Sequence, residues 1–192
     1  MAYYTTNSRS VPRPDSSEEK FTTQCIYVDS LAVNGAVAIP DRPYLSSGFT
    51  VTLSKPIVLD INTRYVMSLI KAEFDTTNLG NHYYSININT DLIEYQAENA
   101  TQTQILCKIY KVAYNAAFYQ TSTPFEYQAI NPINRFIKST TKVISQVSFT
   151  IDVDSNYAPS VPLNPPRASP YPTRICFVIK AVPPNVESTT II

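Results

Sequence analysis

Tryptophan is absent from this 192-residue chain, histidine occurs once, and glycine occurs only three times. Each scarcity excludes something. Three glycines leave no room for a P-loop or a dinucleotide fingerprint, which both need glycine where backbone closely approaches phosphate. The single histidine, His82, lies in a polar turn and offers one possible base for a Ser-His-Asp arrangement, with no multi-histidine metal site. Without Trp there is no Cys…Trp…Cys spacing of an immunoglobulin domain. The three cysteines, Cys25, Cys107 and Cys176, are odd in number and form no CxxC, so neither a disulfide framework nor a zinc site is indicated. Each sits in a strand-like run, where a buried thiol acts as a small hydrophobe. Folding in a reducing compartment is the simplest reading, with one disulfide left open.

Charge is scarce as well. Fifteen basic and fifteen acidic residues cancel, and charged residues are 16% of the chain, against about 25% in ordinary domains. A mainly electrostatic nucleic-acid binder needs a surplus of Lys and Arg, so none is expected. No apolar run approaches the ~18 residues that span a bilayer, and Met1–Ser10 has no apolar h-region, so the sequence predicts no transmembrane segment and no cleaved signal. Tyrosine, by contrast, occurs 14 times and proline 15 times. Low charge with many tyrosines suits a surface covered by neighbours, since interfaces favour Tyr and disfavour Lys and Glu. It suits a plain Tyr-rich β protein equally.

The pattern is that of strands. Phe21–Val28, Thr63–Phe74, Tyr83–Asn89, Thr103–Val112, Lys142–Asp154 and Thr173–Val182 all read as β, as does the alternation of Phe49, Val51 and Leu53 with Thr50 and Thr52. Pro124–Ile130 reads as a shorter edge strand, and Leu31–Ile39, with Asn34-Gly35 in its middle, as a hairpin turn or a loop. Tyr65–Phe74 is apolar on both alternations, Tyr65, Met67 and Leu69 on one side and Val66, Ile70 and Phe74 on the other, as in a central strand covered on both faces. In Val143–Asp154 the row Val143, Ser145, Val147, Phe149, Ile151 and Val153 is expected to face the core. Gln146, Ser148, Thr150, Asp152 and Asp154 are expected to face solvent or an interface. The expected fold is all-β: a single eight-stranded antiparallel jelly roll, a two-sheet sandwich. It comprises an extended N-terminal arm over residues 1–20, a jelly-roll domain over 21–182 and a tail over 183–192.

Chemistry is harder to find. Asp152, Asp154 and Asn156 resemble the start of a calcium loop, but the glycine and distal Glu are missing, and solvated positions are the expected reading. Lys108, Lys111, Arg135, Lys138 and Lys142, with Tyr110, Tyr114 and Phe136 between them, form a mildly basic region that a solvated strand face explains better than single-strand binding. No catalytic residue, metal or cofactor is assigned, and the chain is not expected to be an enzyme. The interface candidates are Tyr3 and Tyr4 for docking in a neighbour's groove, Arg9 and Arg13 for pairing with its acids, and Pro165, Pro166 and Arg167 in the stiff Pro-rich loop Ala158–Pro172.

Two segments resemble a known family. Ile57–Asn89, IVLDINTRYVMSLIKAEFDTTNLGNHYYSININ, is similar to the second-to-fourth strand region of penton-type single jelly-roll capsid proteins. Those proteins belong to double-stranded DNA viruses of the adenovirus-like lineage, including virophages and polinton-like viruses. Pro124–Tyr157, PFEYQAINPINRFIKSTTKVISQVSFTIDVDSNY, is similar to the late part of the same domain, where a proline-containing lead-in precedes a long strand ending Asp-x-Asp-x-Asn. Together they cover about a third of the chain. No insertion is large enough for a second projecting domain. The resemblance implies a structural virion protein with no active site. It further implies a homopentamer at the fivefold vertex that contacts the major capsid protein and minor capsid proteins, binds no specific nucleic acid and is made in the host cell. A jelly-roll module binding a carbohydrate or protein ligand, and a minor or cement capsid protein away from the vertex, are the alternative readings.

Overall fold

The computed structural model describes residues 3–5, 24–42, 44–75, 83–98, 101–110, 125–155, 161–162 and 172–182. These form strands β1 (Tyr3–Thr5), β2 (Gln24–Asp29), β3 (Ala36–Ala38), β4 (Gly48–Val58), β5 (Arg64–Phe74), β6 (Tyr83–Thr90) and β7 (Gln96–Glu98). They continue with β8 (Thr101–Thr103), β9 (Ile105–Tyr110), β10 (Phe125–Gln128), β11 (Arg135–Phe136), β12 (Val143–Ser155), β13 (Val161–Pro162) and β14 (Arg174–Val182). Among the described residues the only helical element is a 3-10 turn, Ala32–Asn34, and no helix is long and apolar enough to cross a membrane. That turn is closed by Gly35 at φ 85°, a left-handed conformation that explains glycine at the expected turn.

Two six-stranded antiparallel sheets stack face to face. The first has the order β1-β2-β14-β5-β10, with β11 also on β5; the second has β3-β4-β12-β6-β9, with β13 on β12. β7 and β8 pair separately as a hairpin. Of the longer strands, only β6 and β9 follow one another within one sheet; every other step crosses between sheets. Repeated crossing with antiparallel pairing throughout is consistent with a jelly roll. The sheets hold more strands than the eight expected, because short strands add to the edges and flanks of the longer ones. One of these, β1, lies within the expected arm over residues 1–20 and pairs Tyr3 with Tyr27 and Thr5 with Cys25, adding a strand to its own chain's sheet. The masking of a sheet edge by a short added strand is a common solution to open backbone groups.

Between the sheets lies one apolar core. Phe149 of β12 sits 6.0 Å from Phe49 on neighbouring β4 and 5.6 Å from Phe177 on β14 across the sandwich. All three are fully buried, with Ile26, Met67, Leu69, Ile86 and Ile88 around them. Phe74 and Phe125 extend the cluster toward β10 at 5.4 Å. Where β4 and β5 connect, Leu59, Ile93 and Ile137 plug the core, tied by Ile137 N–H to Tyr65 carbonyl and Leu59 N–H to Lys142 carbonyl, each 2.9 Å.

Bulges correct two expectations about which residues face inward. In β12 the register against β4 shifts between Ile144 and Gln146. Ile144 is therefore core and Val143 is 53% exposed, the reverse of simple alternation. Pro56 lies opposite this irregularity; lacking an N–H, it cannot serve the ladder there. In β5 the pairing with β14 shifts between Cys176 and Phe177, skipping Ile70, so Phe74 joins Met67 and Leu69 in the core and Val66 faces away from it. A period of two read through a bulge inverts every residue beyond it.

Substitutions separate these registers. Ile144→Ala is expected to lower unfolding stability by about 2–5 kcal/mol and Phe149→Ala by about 3–5 kcal/mol, while Val143→Ser stays within about 0.5 kcal/mol, by urea denaturation. A large loss at Val143 with a small one at Ile144 would restore the unbulged reading.

Candidate functional site

The outer face of the second sheet holds a buried charged seam. Asp152 and Asp154, both on β12, are only 8% and 5% exposed. They were expected to be solvated, and the structure corrects this. Arg42, in the lead-in to β4, forms an ion pair with Asp152. The Asn89 side-chain amide on β6 donates to the second oxygen of Asp152 at 2.7 Å. Beside it, Lys108 Nζ of β9 lies 3.2 Å from Asp154 Oδ2, which also accepts from Ser85 Oγ at 2.8 Å. Strands β6 and β9 and the lead-in to β4 thus converge on two carboxylates of β12. Further along, Thr50 and Ser148 share a 2.9 Å hydrogen bond, and Gln146 donates to Thr52 at 3.2 Å.

Backbone spacing makes the seam possible. A Cβ placed on Gly48 would sit 2.5 Å from Arg42 Cγ and 3.1 Å from its Cβ. The stem of Arg42 therefore crosses where a side chain on the first residue of β4 would stand, and glycine there opens the route to Asp152. Burial pushes the Asp152 carboxyl above the ordinary aspartate value, while its bonds to Arg42 and Asn89 pull it back. Asn87 stands in register between Asp152 and Lys108. Its Oδ1 is buried with no hydrogen-bond partner among the described residues. Among the described residues the seam holds two anions and two cations, Asp152 and Asp154 against Arg42 and Lys108. No nucleophile among the described residues there stands beside a free base, and what these groups do is hold register.

The outer face of the first sheet carries a more open network. Lys71 bridges Glu73 at 2.8 Å and Glu126 at 2.9 Å, and Arg174 reaches Glu73 at 3.0 Å, linking β5, β10 and β14. Hydrogen bonding from Lys71 holds the Glu73 carboxyl below its ordinary value. All three cysteines are free thiols; Cys107 lies on β9 in the core, while Cys25 and Cys176 belong to the first sheet. Cys25 and Cys176 approach to 3.3 Å between sulfurs. Burial pushes the Cys176 thiol up to about 12, which leaves little thiolate at neutral pH.

Of the residues singled out from sequence, Tyr3 and Tyr4 lie in β1 opposite Tyr27 and Ile26. Arg9, Arg13, Pro165, Pro166 and Arg167 lie outside the described residues, as do His82 and Asn156. The basic region is not one stripe. Lys108 and Tyr110 belong to β9 and its seam, Arg135 to Lys142 lie at the end of the sandwich, and Lys111 and Tyr114 are outside the described residues. Among the described residues no three His, Cys, Asp or Glu side chains gather as metal ligands. A cleft of about 120 Å3 opens between the 59–65 turn and residues 137–142, well below the ~300–1,000 Å3 of ordinary small-molecule sites. Sequence reasoning missed Arg42, Ser85 and Asn89, whose acidic partners are 63 to 110 positions away and visible only once strands are paired. It also missed Gly48, whose role depends on where the Arg42 stem runs.

The seam and its counterpart differ in how they answer substitution and pH. Arg42→Ala, leaving Asp152 buried and unpaired, is expected to destabilise by about 3 kcal/mol. Gly48→Ala displaces the same stem, so in the Arg42→Ala background its effect should shrink by more than about 1 kcal/mol, a coupling read from a double-mutant cycle. The pH response has two opposite signs. Asp152 has a raised folded value, so its stabilising contribution is complete below the ordinary aspartate range and is lost as pH rises through the raised value. Glu73 has a lowered value, so its contribution is complete above the ordinary glutamate range and is lost as pH falls through the lowered one. On acidification Asp152→Asn is therefore expected to lose stability more steeply than the parent and Glu73→Gln less steeply, measured by denaturation midpoints from about pH 7 to about pH 3.

No protein-family model matches the chain, and no curated protein matches it. Among solved structures the chain is similar to the mavirus penton protein, at 10% sequence identity and a TM-score of 0.41. The match covers 85% of this chain and 59% of that one, so the chain spans less than two thirds of that protein's length. A likeness of this degree carries no argument, and the two-sheet sandwich stands on its own strand order and register.

Proposed function

We propose that this chain is a structural subunit of a virus capsid. In this reading β2, β4, β5, β6, β9, β10, β12 and β14 are the eight strands of a single jelly roll, and the shorter strands are additions to it. Five copies form a ring at the fivefold vertex and contact the major capsid protein and minor capsid proteins around it. The chain works in the virion, not as an enzyme.

One observation carries the reading. The sandwich has two unlike lateral sides: β1 and β3 bound one, and β9 and β10 bound the other. A closed ring requires a heterologous contact, in which one patch meets a different patch on the next copy, and unlike sides supply that. Exposed tyrosines support it on both flanks, with Tyr27 45% and Tyr110 64% accessible. Tyr3, Tyr4, Arg9, Arg13 and the loop residues Pro165, Pro166 and Arg167 are assigned to contacts with neighbours. The fivefold number comes from the resemblance of Ile57–Asn89 and Pro124–Tyr157 to vertex proteins.

The test is the position of the chain in an assembled particle, by electron cryomicroscopy. Density for it on the fivefold axes is expected. Density only at positions off those axes defeats the vertex assignment, and a free monomer that binds a glycan array and enters no particle defeats the capsid reading altogether.

A further inference from the structure

Cys25 on β2 and Cys176 on β14 stand with their sulfurs 3.3 Å apart. In the ladder Cys25 faces Val178 and Cys176 faces Tyr27, so the two thiols are diagonal neighbours across paired strands. Their chain neighbours Ile26, Ile175 and Phe177 point into the core, which turns both thiols to the outer face of the first sheet. Cys176 is 3% exposed, whereas Cys25 is half-buried. The pair therefore has one sheltered member and one that solvent reaches. Cys107 is kept apart from it on β9, its sulfur 3.8 Å from the Tyr127 hydroxyl.

The position of the pair matters mechanically. β2 is bordered on one edge by three-residue β1 and on the other by β14, so its hold on the sheet runs mainly through the ladder to Arg174–Ile179. The two cysteines are 151 positions apart in sequence. A covalent link between them closes most of the chain into one loop, the case in which a cross-link most restricts the unfolded state.

We propose that Cys25 and Cys176 form a redox-closed staple, joined as a disulfide by exchange with a small-molecule disulfide and reopened by excess thiol, which locks β2 to β14. The Cys25 thiolate attacks one sulfur of the oxidant, forming a mixed disulfide and releasing the oxidant's other half as a thiolate. The Cys176 thiolate then attacks Cys25 Sγ, forming the Cys25–Cys176 bond and expelling the second half. Two protein S–H groups are oxidised, one oxidant S–S bond is reduced, and both protons end on the released thiols. Burial leaves Cys176 mostly protonated at neutral pH, so the second step is slow and the dithiol survives brief exposure. Reducing surroundings keep the staple open, and oxidising ones close it. The assignment goes beyond the shell reading and holds for a single chain.

The folded full chain, incubated with oxidised glutathione in the absence of denaturant, tests it. After unfolding and alkylation, the untreated protein should carry an alkyl group on each of its three cysteines, and the oxidised protein only on Cys107. A non-reducing digest should yield the Cys25 peptide joined to the Cys176 peptide. The oxidised protein should melt about 5–10 °C above the reduced one, and dithiothreitol should reverse the shift, a comparison that needs no variant to fold. Cys107→Ser should keep both responses, while Cys25→Ser and Cys176→Ser should each lose both. Full alkylation after oxidation overturns the proposal, as does glutathione left on Cys25 with no bond to Cys176. Disulfides between chains, or a melting temperature that the internal bond leaves unchanged, overturn it as well.

Discussion

A slip of β12 by one residue would turn Val147, Phe149, Ile151 and Val153 out of the core and drive Asp152 and Asp154 into it. Any strand with one buried face already resists such a slip, because its whole apolar set would be carried into water, whereas strands polar on both faces tolerate it. Here the far half of the strand is buried on both faces, apolar inside and ion-paired outside. Each exposed phenylalanine forfeits about 1.5–3 kcal/mol, and each unpaired aspartate several more. The wrong register is therefore excluded from two sides at once. Because β12 lies between β4 and β6, its register sets that of the whole second sheet, and Phe149 against Phe177 transmits it to the first.

The two outer faces solve the same problem by different electrostatics. On the second sheet, Asp152 and Asp154 are held at low accessibility by partners from β6, β9 and the lead-in to β4, a geometry in which desolvation offsets much of the Coulomb gain. Such a pair adds little net stability over an apolar substitute, but its loss on one side alone is severe, so it discriminates against misaligned alternatives. On the first sheet, the Lys71, Glu73, Glu126 and Arg174 cluster is partly solvated, where ion pairs contribute little each and are screened by salt. The first arrangement specifies; the second mainly decorates. Raised Asp152 and lowered Glu73 are the titration counterparts of that difference.

Strand existence was readable in the sequence because alternation is local: β5, β6, β12 and β14 fall within a residue or two of the expected runs. The sandwich class followed from their number and the lack of helical periodicity. What failed was facing, at Val143, Ile144 and Phe74, where a bulge breaks the period and only the partner strand reveals it. Pro56 was the available signal, since proline inside a strand marks an interruption in pairing. The seam failed for another reason. Asp152 is 110 positions from Arg42, and nothing in an Asp-x-Asp run distinguishes solvent from a buried cation. Gly48 was the one trace, a glycine opening an otherwise β-prone strand. The surface residues assigned to contacts rest on composition, which describes what interfaces favour and not where they are.

The lateral sides differ in a way that bears on assembly. On one side the terminal strands are three residues long, β1 and β3. On the other, β9 runs six residues and β10 four, and among the described residues each pairs on one edge only. Short edges resist adventitious strand pairing, whereas longer open ones invite it. A twofold contact would have to match one side with itself, pairing long edge to long edge and leaving the short side idle. A rotational contact sets the long side of one copy against the blunted side of the next, covering the more exposed backbone with a surface that cannot propagate a continuous sheet. Whether such a contact closes into a ring or runs on as a fibre depends on its rotation angle. Under the proposed capsid role, a surrounding shell of fixed symmetry would supply that angle from outside, and the subunit itself would then need only two unlike sides and low net charge.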